Sequence, residues 1–458
     1  MERIRREVWN GGTMMEKVCG AMENGMKAAD AAALGMQEVH VPADTMILGK
    51  DCYYDLDSYK TLRNNNVVVI GSPGAGKTRG IIIPNILQCS GSYVITDPKG
   101  ILYRRYRDYL FQKGYRVLLL DFYDPTYSIG YNCIMHAKTD EDIMKLAHVI
   151  TYSNHSKEHT KDAFWDEAAE LLLTALLAYL NNYCDPEERT FKSLVDLMNL
   201  ETVHEDYSER ETPLDLLFKD IERIDPDSFA LRKYNAFRLA AGKTLKSILI
   251  TLQTTLSRYD SESVTRVMEN RNELVVPDIG RRKTAVFITV SDMDRRLDGL
   301  VNIVFTQIMQ ELVQYADKSC LDQHLPIPVR FLMDDFATNV TIADFPRMIA
   351  SIRSRWISTM MILQAESQLT ERYGDDGRTI LGSCDTYVYL GGEDLQTAKA
   401  VSERADKSLK SILEMPVGTQ LIFRRGEKMV KTTTFPMPEF EAGRFEEAKK
   451  EFMNRNWR

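Results

Sequence analysis

Eight residues of this chain, Gly71–Thr78 (GSPGAGKT), fit the pattern G-x-x-x-x-G-K-[ST]. Each residue type in it can help hold phosphate. Gly71, Gly74 and Gly76 let the backbone turn tightly, so that successive N–H groups converge on phosphate oxygens. Ser72, Pro73 and Ala75 complete the turn. Lys77 can reach the β- and γ-phosphates, and the Thr78 hydroxyl can ligate magnesium. Arg79 opens the following helix, whose N-terminal dipole favours negative charge. Residues 71–79 therefore predict a site for ATP with magnesium. Kinases, GTPase switches, helicases and translocating motors can all carry such a loop, so the loop alone leaves the purpose of binding open.

Hydrolysis needs a second, acidic strand end, and Pro328–Asp335 (PVRFLMDD) supplies one. Asp334 is the expected magnesium partner, through water, and Asp335 is placed to polarise the attacking water. Most motors carry Glu at the latter point; Asp is one methylene shorter, so either the water sits closer or hydrolysis is slower. Gln364 ends the next apolar run, where RecA-like motors place a polar residue that contacts the γ-phosphate. Arg353 and Arg355 precede that run. An arginine donated by a neighbouring subunit can accelerate hydrolysis by roughly 10³–10⁵. The candidate catalytic set is thus Lys77, Asp334, Asp335, Gln364 and Arg353, with Thr78 and Asp334 as the metal ligands. Two weaker patterns fall away. Ala240–Thr244 (AAGKT) has Phe237 where the first glycine belongs and lies in a helical run. His155 and His159 have metal-ligand spacing, but no Glu sits where H-E-x-x-H requires it.

The elements that must position these residues alternate in type. Val67–Ile70 is a run of β-branched residues, the mark of a strand covered on both faces. The P-loop helix should follow, kinked or stopped early by Pro84. Ser92–Asp97, Tyr115–Phe122, Lys283–Val290, Pro328–Asp335, Trp356–Gln364, Asp385–Gly391 and Thr419–Gly426 read as further strands. Strands alternating with helices predict βαβ units and a mainly parallel sheet. Between 154 and 269 strand signals vanish and helical spacing takes over, as at Leu245, Ile248, Leu249, Leu252 and Leu256. The predicted class is α/β: a RecA-like P-loop domain formed by residues 61–153 and 270–435, interrupted by an all-α domain at 154–269. Residues 1–60 read as an N-terminal appendage with a weak helical repeat at Met14, Val18, Met22 and Met26, and 436–458 as a tail with a short amphipathic helix.

Bulk properties narrow the function classes. The 458 residues carry a formal charge of −8, so any contact with nucleic acid must be local to a pore or groove. Seven cysteines without a C-x-x-C pair argue against a disulfide framework or zinc ribbon and for a reducing compartment. Leu171–Leu180 is about half the ~20 residues needed to cross a bilayer, and no signal peptide opens the chain. The long interval between Lys77 and Asp334 argues against small GTPases and nucleotide kinases.

Several stretches together resemble the coupling-protein ATPases of conjugative type IV secretion. They are GSPGAGKTRGIIIPNIL, SYVITDPKG, DAFWDEAAELLLTALLAYL, KSILITLQTTLSRY, FLMDDFATN, STMMILQAESQLTERYG and SILEMPVGTQLIFRRG. The likeness runs from about Asp51 to Pro436. It implies a hexameric RecA-like motor related to FtsK-type DNA pumps, which brings a relaxase-bound single strand to the secretion channel. It also implies partners: single- or double-stranded DNA, the relaxase or relaxosome, the channel ATPases and further copies of the chain. By resemblance Lys77 and Thr78 are the Walker A pair and Asp334 and Asp335 the Walker B pair. Gln364 is the third motif, Arg353 the trans-acting arginine with Arg355 in reserve, and Asp97 and Lys99 a signature near the nucleotide. Three features depart from the family: Ile101 stands where a Glu usually follows DPKG, Asp335 replaces Glu, and the usual N-terminal membrane helices have no counterpart. The expected location is the bacterial cytoplasm, at the inner face of the membrane, as a soluble variant or one held by a separate anchor protein. A nucleotide-gated recruitment platform and a cytosolic helicase are the alternative readings.

Overall fold

The computed structural model describes residues 41–152, 163–201, 211–241, 245–257, 259, 261–268, 273–289, 297–338, 340–342 and 344–456. The Met14–Met26 repeat, the His155/His159 pair and Gly242–Thr244 lie outside them.

Nine strands form one sheet in the order β11-β10-β9-β3-β8-β7-β4-β6-β5. They are β3 (Val67–Ile70), β4 (Ser92–Thr96), β5 (Arg116–Asp121), β6 (Thr284–Thr289), β7 (Val329–Met333), β8 (Ile357–Leu363), β9 (Thr386–Tyr389), β10 (Thr419–Arg424) and β11 (Val430–Thr433). All neighbours run parallel except at the β9-β10-β11 edge. Strands buried on both faces are apolar at nearly every position, and β3 is buried at all four. Alternate side chains serve different layers: Val68 and Ile70 join one hydrophobic cluster, Val67 and Val69 the other.

The first cluster lies under a helical layer. Its helices are α3 (Asp140–Tyr152), α4 (Ala163–Tyr183), α5 (Phe191–Met198), α6 (Pro213–Ile224), α7 (Phe229–Ala241), α8 (Leu245–Ser257), α9 (Glu262–Met268) and α10 (Asp298–Ser319). Helices α4 to α9 lie within residues 154–269, where strand signals vanish from the sequence, while α3 precedes that interval. Its buried residues are nevertheless continuous with the sheet: Leu172, Phe237, Leu252, Phe305 and Phe331 belong to one cluster. Thr212 caps α6 in a reciprocal box with Asp215, which explains the sharp helix start after a charged stretch.

The second cluster lies under α1 (Ile83–Leu87), α2 (Ile101–Gln112), α14 (Met437–Asn456) and a hairpin of β1 (Thr45–Gly49) and β2 (Cys52–Asp55). Here the structure corrects three expectations. Residues 45–55 are not an appendage: every β1 residue is buried, and Asn85 pairs with the Ile47 backbone through its amide, accepting from Ile47 N at 3.1 Å and donating to Ile47 O at 2.7 Å. The C-terminal segment is a 20-residue helix whose Phe440 and Ala448 are buried, so 437–456 belongs to the core domain. Pro84 does not break its helix. A π-helical turn at Thr78–Ile82 precedes it, and the wider turn relieves the clash between the proline ring and the carbonyl four residues back.

β3 sits at a topological switch. The chain leaves it for β4, beyond β8 and β7 on one side, and returns much later to β9 on the other. Ligands of open parallel sheets bind at the carboxyl ends beside such a switch. Phe440 packs edge-on against Phe435 at 5.0 Å between ring centres, fixing α14 near this face. The Phe440→Ala protein is expected to lose about 3–5 kcal/mol of stability, seen as a lowered urea midpoint with an unchanged slope.

Candidate nucleotide-binding site

The site forms where β3, β7 and β8 end. In register, Ile70 pairs with Leu363 and Met333 with Met361, so Gly71, Asp334 and Gln364 emerge at one edge. The Gly71 N–H closes the loop's base on Leu363 O at 3.2 Å, and Ser72 N donates to Gly391 O at 3.0 Å. Gly74 and Gly76 have φ of +80° and +85°, a conformation that L side chains rarely adopt, while a side chain at Gly71 would meet Leu390 Cβ at 3.0 Å. These glycines therefore let the loop turn tightly above the end of β3.

Lys77 is buried and its ammonium donates to Gly71 O at 2.6 Å and Ser72 O at 2.9 Å. Burial pulls its pKa down, while the Asp335 and Asp334 carboxylates hold it up. Thr78 Oγ1 donates to Asp334 Oδ2 at 2.5 Å. Asp334 is largely buried, and desolvation raises its pKa to about 6 with help from the Asp335 charge; the Thr78 hydroxyl, the Asp335 N–H and Lys77 oppose the rise. Thr96 Oγ1 donates to Asp334 O at 3.0 Å and so fixes the strand end from the other side. Asp335 adopts a left-handed φ of 49°, which turns the chain immediately after the buried acid. Gln364 Nε2 reaches Asp335 Oδ1 at 3.5 Å. The structure thus brings Lys77, Thr78, Asp334, Asp335 and Gln364 together. A hydroxyl and a carboxylate side by side are hard oxygen donors suited to magnesium, which binds through one or two protein oxygens and substrate phosphates rather than a protein cage. Among the described residues no group of three or more His, Cys, Asp or Glu could hold a metal.

Other predicted residues lie elsewhere. Arg353 precedes β8 and donates to Ser58 O at 2.8 Å. It sits at the opposite edge of the sheet, separated from the P-loop of its own chain by the seven residues of β8, about 20 Å at strand rise. It cannot act on phosphate bound in its own chain. Arg355 grips Asp317 through Nε at 2.7 Å and Nη2 at 2.9 Å, a forked pair that commits its guanidinium. Asp97 is buried, and burial pushes its carboxyl up; it accepts from Tyr103 N at 2.8 Å. It thereby caps α2, and its carboxylate faces that helix.

Several supports of the site carry no motif of their own. Gly391 and Gly392, a glycine pair just past the end of β9, form the wall against Ser72. Helix α11 (Ser367–Tyr373) latches the site: Gln368 Oε1 accepts from Gln364 N at 2.7 Å, and Gln368 Nε2 donates to Thr338 Oγ1 at 3.0 Å. Arg372 Nε donates to Ala337 O at 2.7 Å. Polar residues at Gln364, Gln368 and Arg372, four apart, were the available signal.

Residues 24–408 match the family described as type IV secretory system conjugative DNA transfer. The chain belongs to that family. Among relatives of the conjugative DNA transfer family, the type IV secretion system-coupling protein VirD4 of Bartonella henselae is 23% identical over 359 residues, 74% of this chain and 53% of its own length. Protein VirD4 of Rhizobium radiobacter is 24% identical over 348 residues, 73% of this chain and 47% of its own. The chain therefore spans about half the length of the curated relatives it matches. The plasmid coupling protein TrwB, solved with the non-hydrolysable ATP analogue ADPNP, superposes with a TM-score of 0.65 at 18% identity, covering 86% of this chain and 90% of that one. TrwB solved with ADP and Mg2+ gives a TM-score of 0.59 at 16% identity, covering 87% of this chain and 96% of that one. These likenesses establish the shared fold. Among the described residues no helix is long and apolar enough to cross a membrane.

A raised carboxyl pKa makes the folded state favour the protonated acid. Asp334 therefore lowers stability above pH about 6, and the penalty disappears as pH falls toward the unfolded value near 4. In metal- and nucleotide-free buffer, Asp334→Asn is expected to melt higher than the parent at pH 7.5. The difference should shrink steadily to near zero at pH 4; a constant difference would refute the assignment.

Proposed function

We propose that this chain is an ATP-dependent coupling protein that delivers relaxase-bound single-stranded DNA to a type IV secretion channel, working as a homo-hexamer. The observation that carries the reading is the 2.5 Å contact between Thr78 and Asp334, which joins the phosphate loop to the acidic strand end. Binding alone needs only the first. TrwB, solved with ADPNP and with ADP and Mg2+, supports ATP and magnesium as the occupants. Magnesium, when bound, neutralises charge on the β- and γ-phosphate oxygens. Thr78 and Asp334 would hold it, and Lys77 would turn from the loop carbonyls to the phosphates. Asp335 would take the proton of the attacking water, and Gln364, tied to Asp335 and to α11, would carry the presence or loss of the γ-phosphate into the loop at 336–338. The proposed site of work is the inner face of the bacterial membrane, beside the channel ATPases and a membrane anchor.

A second reading, a nucleotide-gated recruitment platform with little turnover, draws on Asp335, whose shorter side chain meets Gln364 only at 3.5 Å. Turnover separates the two. Wild-type ATPase should rise with single-stranded DNA and lose that stimulation steeply with salt, since phosphate contacts release counterions. Lys77→Ala should abolish it, and Asp335→Asn should lower kcat by about 10²–10⁴, the usual contribution of a positioned base. Absence of DNA-stimulated turnover in the wild type would favour the platform.

In a ring, Arg353 would serve the nucleotide of the adjoining subunit. Mixing Lys77→Ala with Arg353→Ala subunits, each inactive alone, should then restore part of the activity, because mixed junctions pair an intact loop with an intact arginine. Mixtures that stay inactive would remove Arg353 from that role.

A further inference from the structure

At the sheet edge opposite the P-loop, near the β1-β2 hairpin, lies a cleft of about 180 Å³. Its lining includes Asp44, Asn65, Arg330, Arg353, Trp356 and Ser358. Arg330 is the second residue of β7 and pairs in register with Tyr93 of β4 and Ser358 of β8. Such a position in a parallel sheet ordinarily holds an apolar residue. Arg330 is only 5% exposed, and both terminal nitrogens of its guanidinium are buried without a hydrogen-bond partner. A buried, unpaired guanidinium is among the more destabilising arrangements a core can contain.

The surroundings are richer in donors than in free acceptors. Arg353 is held at the wall by its bond to Ser58 O, and the Asn65 amide donates to Leu56 O at 2.7 Å. The Trp356 ring stacks on His324 at 3.8 Å, which stiffens that side. Two carboxylates face the cleft. Asp57 accepts from Tyr59 N and Lys60 N, capping the turn at 58–61. Asp44 attracts Arg330 electrostatically without bonding to it.

We propose that this cleft is a binding site for a phosphate dianion, free or as a small monoester, with Arg330 as its anchor. Two guanidiniums on one cavity call for a doubly charged ligand, and the planar fork of arginine matches phosphate oxygens. The volume is several-fold the ~10–15 Å³ that holds a single water. That admits a tetrahedral anion with a small substituent and lies below the ~300 Å³ of typical small-molecule sites. The site is separate from the P-loop of the same chain, from which the length of the sheet divides it.

The test uses the full chain carrying Lys77→Ala, so that the P-loop does not contribute. Melting temperature and calorimetric titration are followed with inorganic phosphate, glycerol 3-phosphate, acetate and sodium chloride at matched ionic strength. Phosphate is expected to stabilise saturably, and adding Arg330→Met should weaken its affinity at least tenfold. The same change removes an unpaired charge, so the double variant should melt higher than Lys77→Ala without phosphate. Asp44→Asn, at an exposed residue, removes a like charge and should tighten phosphate binding several-fold. Tighter binding of glycerol 3-phosphate than of phosphate identifies a monoester as the ligand, and the reverse identifies the free ion. A response equal to that of acetate or sodium chloride, one that survives Arg330→Met, or one indifferent to Asp44→Asn overturns the proposal.

Discussion

The hydrogen bond from Thr78 to Asp334 spans 256 positions of sequence, and most of the fold can be read as what makes it possible. One partner opens the P-loop helix after β3; the other ends β7. The two strands are not neighbours, since β8 lies between them, so their separation is about two strand spacings, roughly 10 Å. Only a helix start displaced from the β3 axis can close that distance, and the tight turns at Gly74 and Gly76 produce the displacement. The intervening β8 is then obliged to end in the gap. Gln364 is the residue that its register places there, which ties the third motif to the other two by geometry.

Such an arrangement requires a rigid sheet, and both faces supply rigidity in different ways. The helical insertion shares a continuous apolar cluster with the sheet. Motion of one against the other would have to break close-packed contacts, which change in discrete steps rather than smoothly. The opposite face is closed by three segments from distant parts of the chain, the β1-β2 hairpin, the P-loop helix and α14, joined around Asn85, Phe435 and Phe440. Thr434 enforces the same closure at the P-loop helix itself. A side chain at Gly80 would meet its methyl at 2.8 Å, so the glycine after Arg79 is a packing requirement within the helix.

The parallel strands were legible because burial on both faces forces continuous apolar runs. Eight of the sheet strands coincide with the expected runs, and the site residues at their ends, Lys77, Thr78, Asp334, Asp335 and Gln364, fall together as the strand order requires. What escaped lacks that signature. β11 is half exposed and reads Val-Lys-Thr-Thr, which carries only weak alternation. The β1-β2 hairpin follows a segment with helical spacing and turns at Lys50 and Asp51, where φ is positive at Asp51 without a glycine to announce it. Arg353 illustrates a different limit: motif position puts an arginine before a strand, but which edge of the sheet it occupies depends on strand direction in space. The cap made by Asp97 was hidden for a similar reason, since an acid at a strand end reads equally as a ligand or as a helix cap.

The two edges of the sheet carry opposite electrostatic problems. At the carboxyl edge a desolvated acid, Asp334, is relieved by the Thr78 hydroxyl and opposed by a second acid; at the amino edge a desolvated base, Arg330, has both terminal nitrogens without a hydrogen-bonding partner. A buried carboxyl can limit its penalty by taking up a proton near neutral pH, whereas a guanidinium stays charged at any pH the protein meets. The acid is therefore compatible with cycles of binding and release, each of which changes the charge around it. The base is compatible only with a lasting anionic complement or with a standing loss of stability. The same β7 strand connects them, from Arg330 near its start to the residue just past Met333. Three fully buried residues, Phe331, Leu332 and Met333, hold the two charges apart, so each must be compensated at its own end of the strand.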